Sequence, residues 1–318
     1  MNGEGSTVFC KQKWVRDADE ACVSLGEAGA FDDMHLFAPA ARVEDGKTFL
    51  YYCGSQGAVE DRVFRMGLSV SEDGRRFDRH PQTPVLEMRN SASVLTPTFL
   101  RDGDGRVLRE GGELRLWFSS TTFPPGIVHT IHETRSGDGV TWSTPTESQV
   151  DGAYAPTVLK DGDRYLMWYA DVTVDPWVFK FAESADGTEW TTHPEAVIVA
   201  DQAWEADRLF YPTVIKRDGL FMMWYGSYQA HDRHTTAIGF ATSEDGRSWS
   251  KHPNNPVFGP NPDREWESHY TTSQSTSQSI HTQPDGSLRL YYASRTKPPF
   301  THKYFAIGTA VWENPFGM

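Results

Sequence analysis

Glu205-Ala-Asp-Arg-Leu-Phe-Tyr-Pro212 leads into Thr213-Val-Ile-Lys216, and Asp218-Gly219 turns the chain into Leu220-Phe-Met-Met-Trp-Tyr225. A loop over residues 226–235 returns it as Thr236-Ala-Ile-Gly-Phe-Ala-Thr-Ser243. Glu244-Asp-Gly246 turns it once more into Ser248-Trp-Ser-Lys251, followed by His252-Pro253 and Pro256-Val257. Short apolar and aromatic runs separated by Gly- and Asp-bearing turns predict four strands in an antiparallel meander.

The same unit recurs upstream and downstream. His35-Leu-Phe-Ala-Pro39, Phe49-Leu-Tyr-Tyr52, Met66-Gly-Leu-Ser69 and Glu72-Asp-Gly74 form one copy, closed by His80-Pro81. Thr96-Pro-Thr98, Leu114-Arg-Leu-Trp117, Ile131-His-Glu-Thr134 and Asp138-Gly139 form a second. Tyr154-Ala-Pro-Thr-Val158, Tyr165-Leu-Met-Trp-Tyr169, Phe181-Ala-Glu-Ser184 and Asp186-Gly187 form a third, with His193-Pro194. A divergent last copy carries Ser277-Gln-Ser-Ile280, Leu288-Arg-Leu-Tyr-Tyr292, Ala306-Ile-Gly-Thr309 and Trp312. Repeats of this length, each unable to bury both faces alone, predict an all-β, five-bladed β-propeller of four-stranded antiparallel blades forming one domain over 1–318. Blades are expected near 30–88, 89–148, 149–200, 201–260 and 261–318. The last copy runs out after its third strand, so the strand-like segment 8–15 is expected to supply the missing outer strand and close the ring.

Composition narrows the function classes. The net charge of −13 over 318 residues, with no basic cluster, argues against nucleic acid. No apolar run approaches a membrane span, and the N-terminus lacks a signal-peptide pattern, so a cytoplasmic protein is expected. Cys10, Cys22 and Cys53 are odd in number and lack metal spacing; they read as reduced thiols. Residues 103–112 read as a solvated polar insertion, and Thr271–Ser279 as a polar inner strand facing the channel.

Inner strands lead away from one rim and second strands return to it, so the lead-ins and second-strand loops share one mouth. They carry Asp33 and His35, Asp151 and Tyr154, Glu205, Asp207 and Arg208, His269 and Tyr270, with Trp177, Tyr228, His231 and Arg295 in the returning loops. Carboxylates sharing such a site can be driven apart in pKa to give an acid and a base. Asp73, Asp138, Asp186 and Asp245 sit in Asp-Gly turns at the other end and read as structural; His80, His193 and His252 recur as part of the repeat. No local spacing enforces a metal site, so no cofactor is expected, with a structural calcium or sodium ion in the channel left open. The expected partner is a small molecule.

The repeat has a Pro in each inner strand, an aromatic second strand, an Ile-Gly-x-Ala-x-Ser-like third strand and Asp-Gly-x-x-Trp before the fourth. It resembles the five-bladed propeller glycoside hydrolases of families 43, 32 and 62, with the mannoside phosphorylases of family 130 nearby. The resemblance implies carboxylate acid/base chemistry on a glycoside: Asp33 as base or nucleophile, Glu205 or Asp207 as general acid, Asp151 as an orienting carboxylate. Trp177, Tyr228 and Tyr270 would stack on sugar rings. The family's Asp-Pro signatures are absent, since Ala38, Ala155 and Tyr211 precede the prolines. Two other readings follow from that departure. One is a site rebuilt around His35, Tyr154, Arg208 and His269 for a non-carbohydrate small molecule. The other is a propeller that binds sugar without catalysis.

Overall fold

The computed structural model describes residues 11–121, 128–229, 235–268, 270–272, 280–296 and 305–315. Five antiparallel blades are arranged as a propeller. Their inner strands are His35–Glu44, Leu95–Phe99, Ala153–Asp161, Leu209–Arg217 and, in two pieces, Tyr270–Thr272 with Ile280–Thr282. The second strands are Lys47–Ser55, Glu113–Ser120, Arg164–Asp171, Leu220–Tyr228 and Leu288–Arg295. Third strands follow at Arg65–Ser71, Thr130–Ser136, Val178–Ser184, Thr236–Ser243 and Phe305–Trp312. Outer strands are short; Asp78–Arg79, Thr191–Thr192 and Ser250–Lys251 each pair with the third strand of their blade. Helix among the described residues is limited to single turns at Arg89–Ser91 and Glu265–Glu267.

The N-terminal segment closes the ring as expected, with a shift in position. Val15–Arg16 and Val23–Ser24 both pair antiparallel with Phe305–Trp312 and supply the outer edge of blade five. Gln12 and Trp14 extend that edge. Trp14 packs edge-on against Trp224 and Trp312, and Gln12 accepts a 2.8 Å bond from Trp224 Nε1 of blade four.

The four Asp-Gly turns that follow the third strands of blades one to four are built the same way. Ser71, Ser136, Ser184 and Ser243 place Oγ against the amide of the turn glycine, and the Asp side chain accepts the next two backbone amides. Gly74, Gly139, Gly187 and Gly246 all have positive φ, which an L side chain adopts only at a cost. Those amide bonds hold the Asp138 carboxyl low, at about 2. Several turn carbonyls then receive a side chain from the preceding blade. Tyr51 Oη donates to Gly139 at 3.0 Å, Trp168 Nε1 to Gly246 at 2.7 Å and Tyr291 Oη to Gly74 at 2.8 Å. One local motif thus terminates a blade and docks its neighbour, and the aromatic rings between sheets exclude water from those bonds.

The insertion in blade two is more ordered than a solvated loop. Arg109–Glu110 pairs with the start of Glu113–Ser120. Residues 103–105 fold under the ring, where Gly103 O accepts from Lys216 N and Asp104 O from Thr282 Oγ1. These groups cover the end of the channel opposite the mouth.

Candidate active site at the channel mouth

Four inner strands break register at the same place, between Phe37 and Ala40, Leu95 and Thr98, Tyr154 and Thr157, and Phe210 and Thr213. At each break the residue before the proline is left-handed: Ala38, Thr96, Ala155 and Tyr211, with φ of 54°, 48°, 53° and 54°. Proline withdraws a ladder donor and restricts the residue before it, and a bulge re-aims one side chain. Left-handed conformation in a non-glycine residue costs on the order of 1–2 kcal/mol, and such strain concentrates at functional positions. Ala38, Thr96 and Ala155 keep that ring small; Tyr211 alone among the four extends a phenol.

Tyr211 Oη lies 3.0 Å from Tyr154 Oη, a bond joining blades three and four. Burial, then the neighbouring Tyr154, pushes the Tyr211 phenol well above its ordinary value. It is therefore a hydrogen-bonding group rather than a phenolate at neutral pH. His129 packs on Tyr154 at 4.7 Å between ring centroids, and Trp177 meets the same ring edge-on at 5.7 Å. Arg208 lies over Trp177 at 4.7 Å and bonds Asp175 at 3.2 Å. Asp207, 14% exposed, sits 4.0 Å from the Arg208 guanidinium. Tyr228 packs on Phe210, which packs on Tyr211.

Across the mouth, His35 is stacked on Phe305 at 3.8 Å and flanked by Phe37 and Phe64. Burial, with the charges of Arg295 and Arg62, drives its pKa down to about 3. Burial likewise lowers His129 to about 4. Both imidazoles are neutral at pH 7 and resist protonation, so they exchange hydrogen bonds there rather than supply charge. Arg295 is buried and lies over the Phe305 ring at 5.7 Å.

The other sequence-derived acids have partners of their own. Glu205 receives Tyr225 Oη at 2.6 Å and Lys251 Nζ at 2.6 Å, plus the amides of Asp201 and Gln202. Its side chain is fully out of solvent. The arrangement repeats: Asp32 takes Tyr52 and Arg79 at 2.9 and 2.8 Å, and Glu267 takes Tyr292 and Arg16 at 2.8 and 2.7 Å. An aromatic residue precedes each acid, and Phe31, Trp204 and Trp266 lie against Gly67, Gly239 and Gly308 of the third strand, where a Cβ would collide. Blades one, four and five thus share an aromatic–acid–Tyr–Gly–base clamp. Asp33 accepts the amides of Gly29 and Gly57 at 2.8 and 3.0 Å, tying two loops together. Asp151 lies in the short strand Val150–Asp151, exposed, and accepts Ser148 Oγ at 2.6 Å.

The structure therefore brings together Tyr154, Trp177, Tyr228, Asp207 and Arg208 on one side of the mouth, and His35 and Arg295 on the other. It commits Glu205 to a clamp and Asp33 to loop closure. His231 and His269 lie outside the described residues, as does the side chain of Tyr270. Reasoning from sequence passed over His129, Tyr211 and Arg62. The clamp did leave a trace, the aromatic–acid pairs Phe31-Asp32, Trp204-Glu205 and Trp266-Glu267 at one repeat position. His80 and His252 accept backbone amides of Gln82 and Asn254, consistent with a structural role.

Deep in the channel, the buried Arg101 of blade two donates to Thr157 Oγ1, to Val214 O at 2.6 Å and to Ile280 O at 3.3 Å. Those partners belong to blades three, four and five. A guanidinium here already supplies positive charge, so this level of the channel does not fit a calcium or sodium ion. Among the described residues, no group of three or more His, Cys, Asp or Glu side chains could hold a metal ion. Cys22 and Cys53 are buried free thiols, and burial pushes Cys22 up to about 12. No described helix is long and apolar enough to cross a membrane.

The fold is that of glycoside hydrolase propellers. A solved structure described as a glycoside hydrolase matches with a TM-score of 0.72 and 13% identity over 97% of this chain and 96% of that one. A second, reported for the GH130 family of mannoside phosphorylases and its hydrolases that target β-1,2 mannosidic linkages in Candida mannan, matches at TM-score 0.68 with 15% identity, covering 95% and 94%. A third, an N-acetylgalactosamine deacetylase from F. plautii in complex with blood group B trisaccharide, gives 0.67 and 14%, covering 95% of each. At such identities the likeness establishes the fold alone. No protein-family model matches the chain. In sequence the chain is 30% identical over 223 residues to uncharacterized proteins Rv1502 and MT1551 of Mycobacterium tuberculosis strains H37Rv and CDC 1551, covering 65% of this chain and 71% of each of those. The chain belongs to the same family as these two proteins.

Proposed function

We propose that the chain is a carbohydrate-active enzyme acting on a glycoside at the channel mouth. The observation that carries this reading is the Tyr154–Tyr211 hydroxyl pair, 3.0 Å apart, set beside the part-exposed rings of Trp177 and Tyr228. Protonated phenols can exchange hydrogen bonds with sugar hydroxyls, and the adjoining rings offer apolar faces to sugar C–H groups. Asp207 supplies the carboxyl group for proton transfer, because Glu205 and Asp33 serve the scaffold. The neutral His129 is a nearby hydrogen-bonding group, and Arg208 orients the Asp207 side of the pocket.

Glycosidases of the two-carboxylate type need an acid and a second carboxylate across the scissile bond. The four-residue ring holds none, and the two neutral histidines of the mouth favour a second reading: proton transfer by His and Tyr on a different bond, in a sugar substituent or a non-carbohydrate metabolite. The sugar deacetylase among the structural neighbours shows that this fold also hosts chemistry other than glycoside cleavage. Proton NMR of the protein with furanosides, pyranosides, acetylated sugars and short oligosaccharides separates the readings. New anomeric signals that disappear in Asp207→Asn support glycoside cleavage; release of acetate without them supports the second reading. A folded protein that turns over no sugar removes both carbohydrate readings.

A further inference from the structure

The clamp of blades one, four and five is missing from blade two, and its place is open. The lead-in of blade two is Met88-Arg89-Asn90-Ser91-Ala92, with neither the aromatic residue nor the acid. Phe118 stands where the other blades have the clamp tyrosine, and its register partner is His132 where they have glycine. His132 stacks on Phe118 at 5.7 Å, with Nδ1 donating to Thr146 O and Nε2 accepting from Thr130 Oγ1, both at 2.8 Å. Over this ring lies a cavity of about 490 Å³ bounded by the lead-in, the end of the second strand and residues 144–147. That volume falls in the range of small-molecule sites.

The cavity's lining is mixed and balanced in charge. Asn90, Thr121 and Thr144 offer neutral donors and acceptors, Arg89 and Glu147 bring opposite charges, and Met88 and Pro145 give apolar walls. Asn90 and Ser91 are consecutive left-handed non-glycine residues, with φ of 58° and 57°; two such residues in a row are strained, and local strain of this kind clusters at ligand-binding segments. The cavity and the mouth lie on opposite sides of one segment of blade two: Val128 and Thr130 line the cavity, while His129 between them turns the other way and packs on Tyr154.

We infer that this groove is a second binding site, for an uncharged, hydroxyl-rich ring: the distal unit of an oligosaccharide whose reacting end occupies the mouth. The inference rests on the carbohydrate reading of the mouth. Neutral hydroxyl and amide groups match sugar hydroxyls, the apolar walls match a ring's C–H faces, and the charge balance disfavours an ionic ligand.

The test is titration calorimetry with uncharged disaccharides and trisaccharides and the corresponding methyl glycosides, using the full chain. Ala92→Trp fills the groove, and Asn90→Gly removes the amide while relieving left-handed strain. Both variants are expected to weaken the longer sugars about tenfold or more while leaving methyl glycosides unchanged. Asn90→Gly is expected to melt no lower than the parent, which separates a binding role from a structural one. Equal affinity for the longer sugars in parent and both variants overturns the inference while leaving the mouth reading intact. Failure of every sugar to bind the parent overturns both. Binding that is lost in Ala92→Trp from a protein with no turnover supports the groove and counts against the enzymatic reading.

Discussion

Blades one, four and five differ from blades two and three at one position of the same repeat. In the first group an acid before the inner strand is locked between a tyrosine and a base of its own blade, under an aromatic ring seated on glycine. In blade two Phe118 and His132 replace that set, and in blade three Tyr169 is paired with Lys180, which bonds Asp171 at 2.9 Å. Where the repeat is kept, its polar groups hold the fold. Where it is broken, His129, Tyr154 and Trp177 pack on one another and a groove lies open over blade two. Among its described residues, blade four contributes to the mouth from outside its clamp, through Asp207, Arg208, Tyr211 and Tyr228.

The sharpest way to break this contrast is to cut one clamp. Glu205→Ala removes the buried acceptor of Tyr225, Lys251 and two backbone amides, while Lys251 keeps Asp201 and the Val199 carbonyl. Losing these bonds to a buried charge is expected to cost about 3 kcal/mol. Asp171→Ala in blade three removes the partner of a part-exposed lysine and two bonds from Thr173, and is expected to cost less, about 1–2 kcal/mol. Urea denaturation of both variants measures the difference. A Glu205→Ala protein of parental stability that has lost all turnover would return Glu205 to the active site.

Acid titration probes the buried imidazoles outside the clamps. His35, His129 and His281 have folded pKa values of about 3, 4 and 3, below the unfolded value of 6.5. A histidine with a depressed folded pKa is protonated more readily when unfolded. Its stabilising contribution is complete above pH 6.5 and declines as pH falls towards the folded value. Each such histidine is expected to cost about 1.4 kcal/mol per pH unit in that window. The turn aspartates, held low by backbone amides, keep their stabilising contribution throughout this window and lose it only as pH falls below the ordinary carboxylate range. Melting temperatures between pH 7 and pH 4 should fall steadily, and His281→Gln should reduce the slope by roughly a third. A flat profile above pH 4.5 would contradict the neutral, buried assignment.

The inter-blade bonds are shared by clamped and unclamped blades, so their loss should be uniform. Tyr51→Phe and Tyr291→Phe each remove a phenol and leave a turn carbonyl buried without its donor, for about 1–3 kcal/mol. A much larger loss for Tyr291 would mean that the junction of blades five and one carries more of the ring than the others. Smallest of all, Ala155→Gly trades left-handed strain against chain entropy and should change stability by about 0.5 kcal/mol or less.

The fold was legible because its signals are local. A Ser-x-Asp-Gly turn, an aromatic second strand and an X-Pro in the inner strand announce a blade within each of the first four copies, and the short last copy announces that something earlier in the chain must complete it. The N-terminal edge was found in kind but displaced, at Val15–Arg16 and Val23–Ser24. The site was legible only in outline, because a lead-in acid looks the same in sequence whether it serves a clamp or a substrate. What tells them apart is the base that meets it: Arg79 for Asp32, Lys251 for Glu205, and Arg16, from the other end of the chain, for Glu267. Tyr211 was visible as the residue standing before Pro212 where the resembled family has Asp. Its significance depends on reaching Tyr154, a contact between blades that no spacing within a repeat encodes.

The most direct test compares turnover and stability in one series: the parent, Asp207→Asn and Tyr211→Phe, each assayed by NMR on the sugar panel and by urea midpoint. A mouth built for chemistry predicts that both substitutions abolish or sharply reduce turnover, while Asp207→Asn keeps a midpoint near the parental value and Tyr211→Phe loses no more than one buried hydrogen bond, about 1–3 kcal/mol. Full turnover in both variants, or no turnover of any sugar by the folded parent, would contradict it.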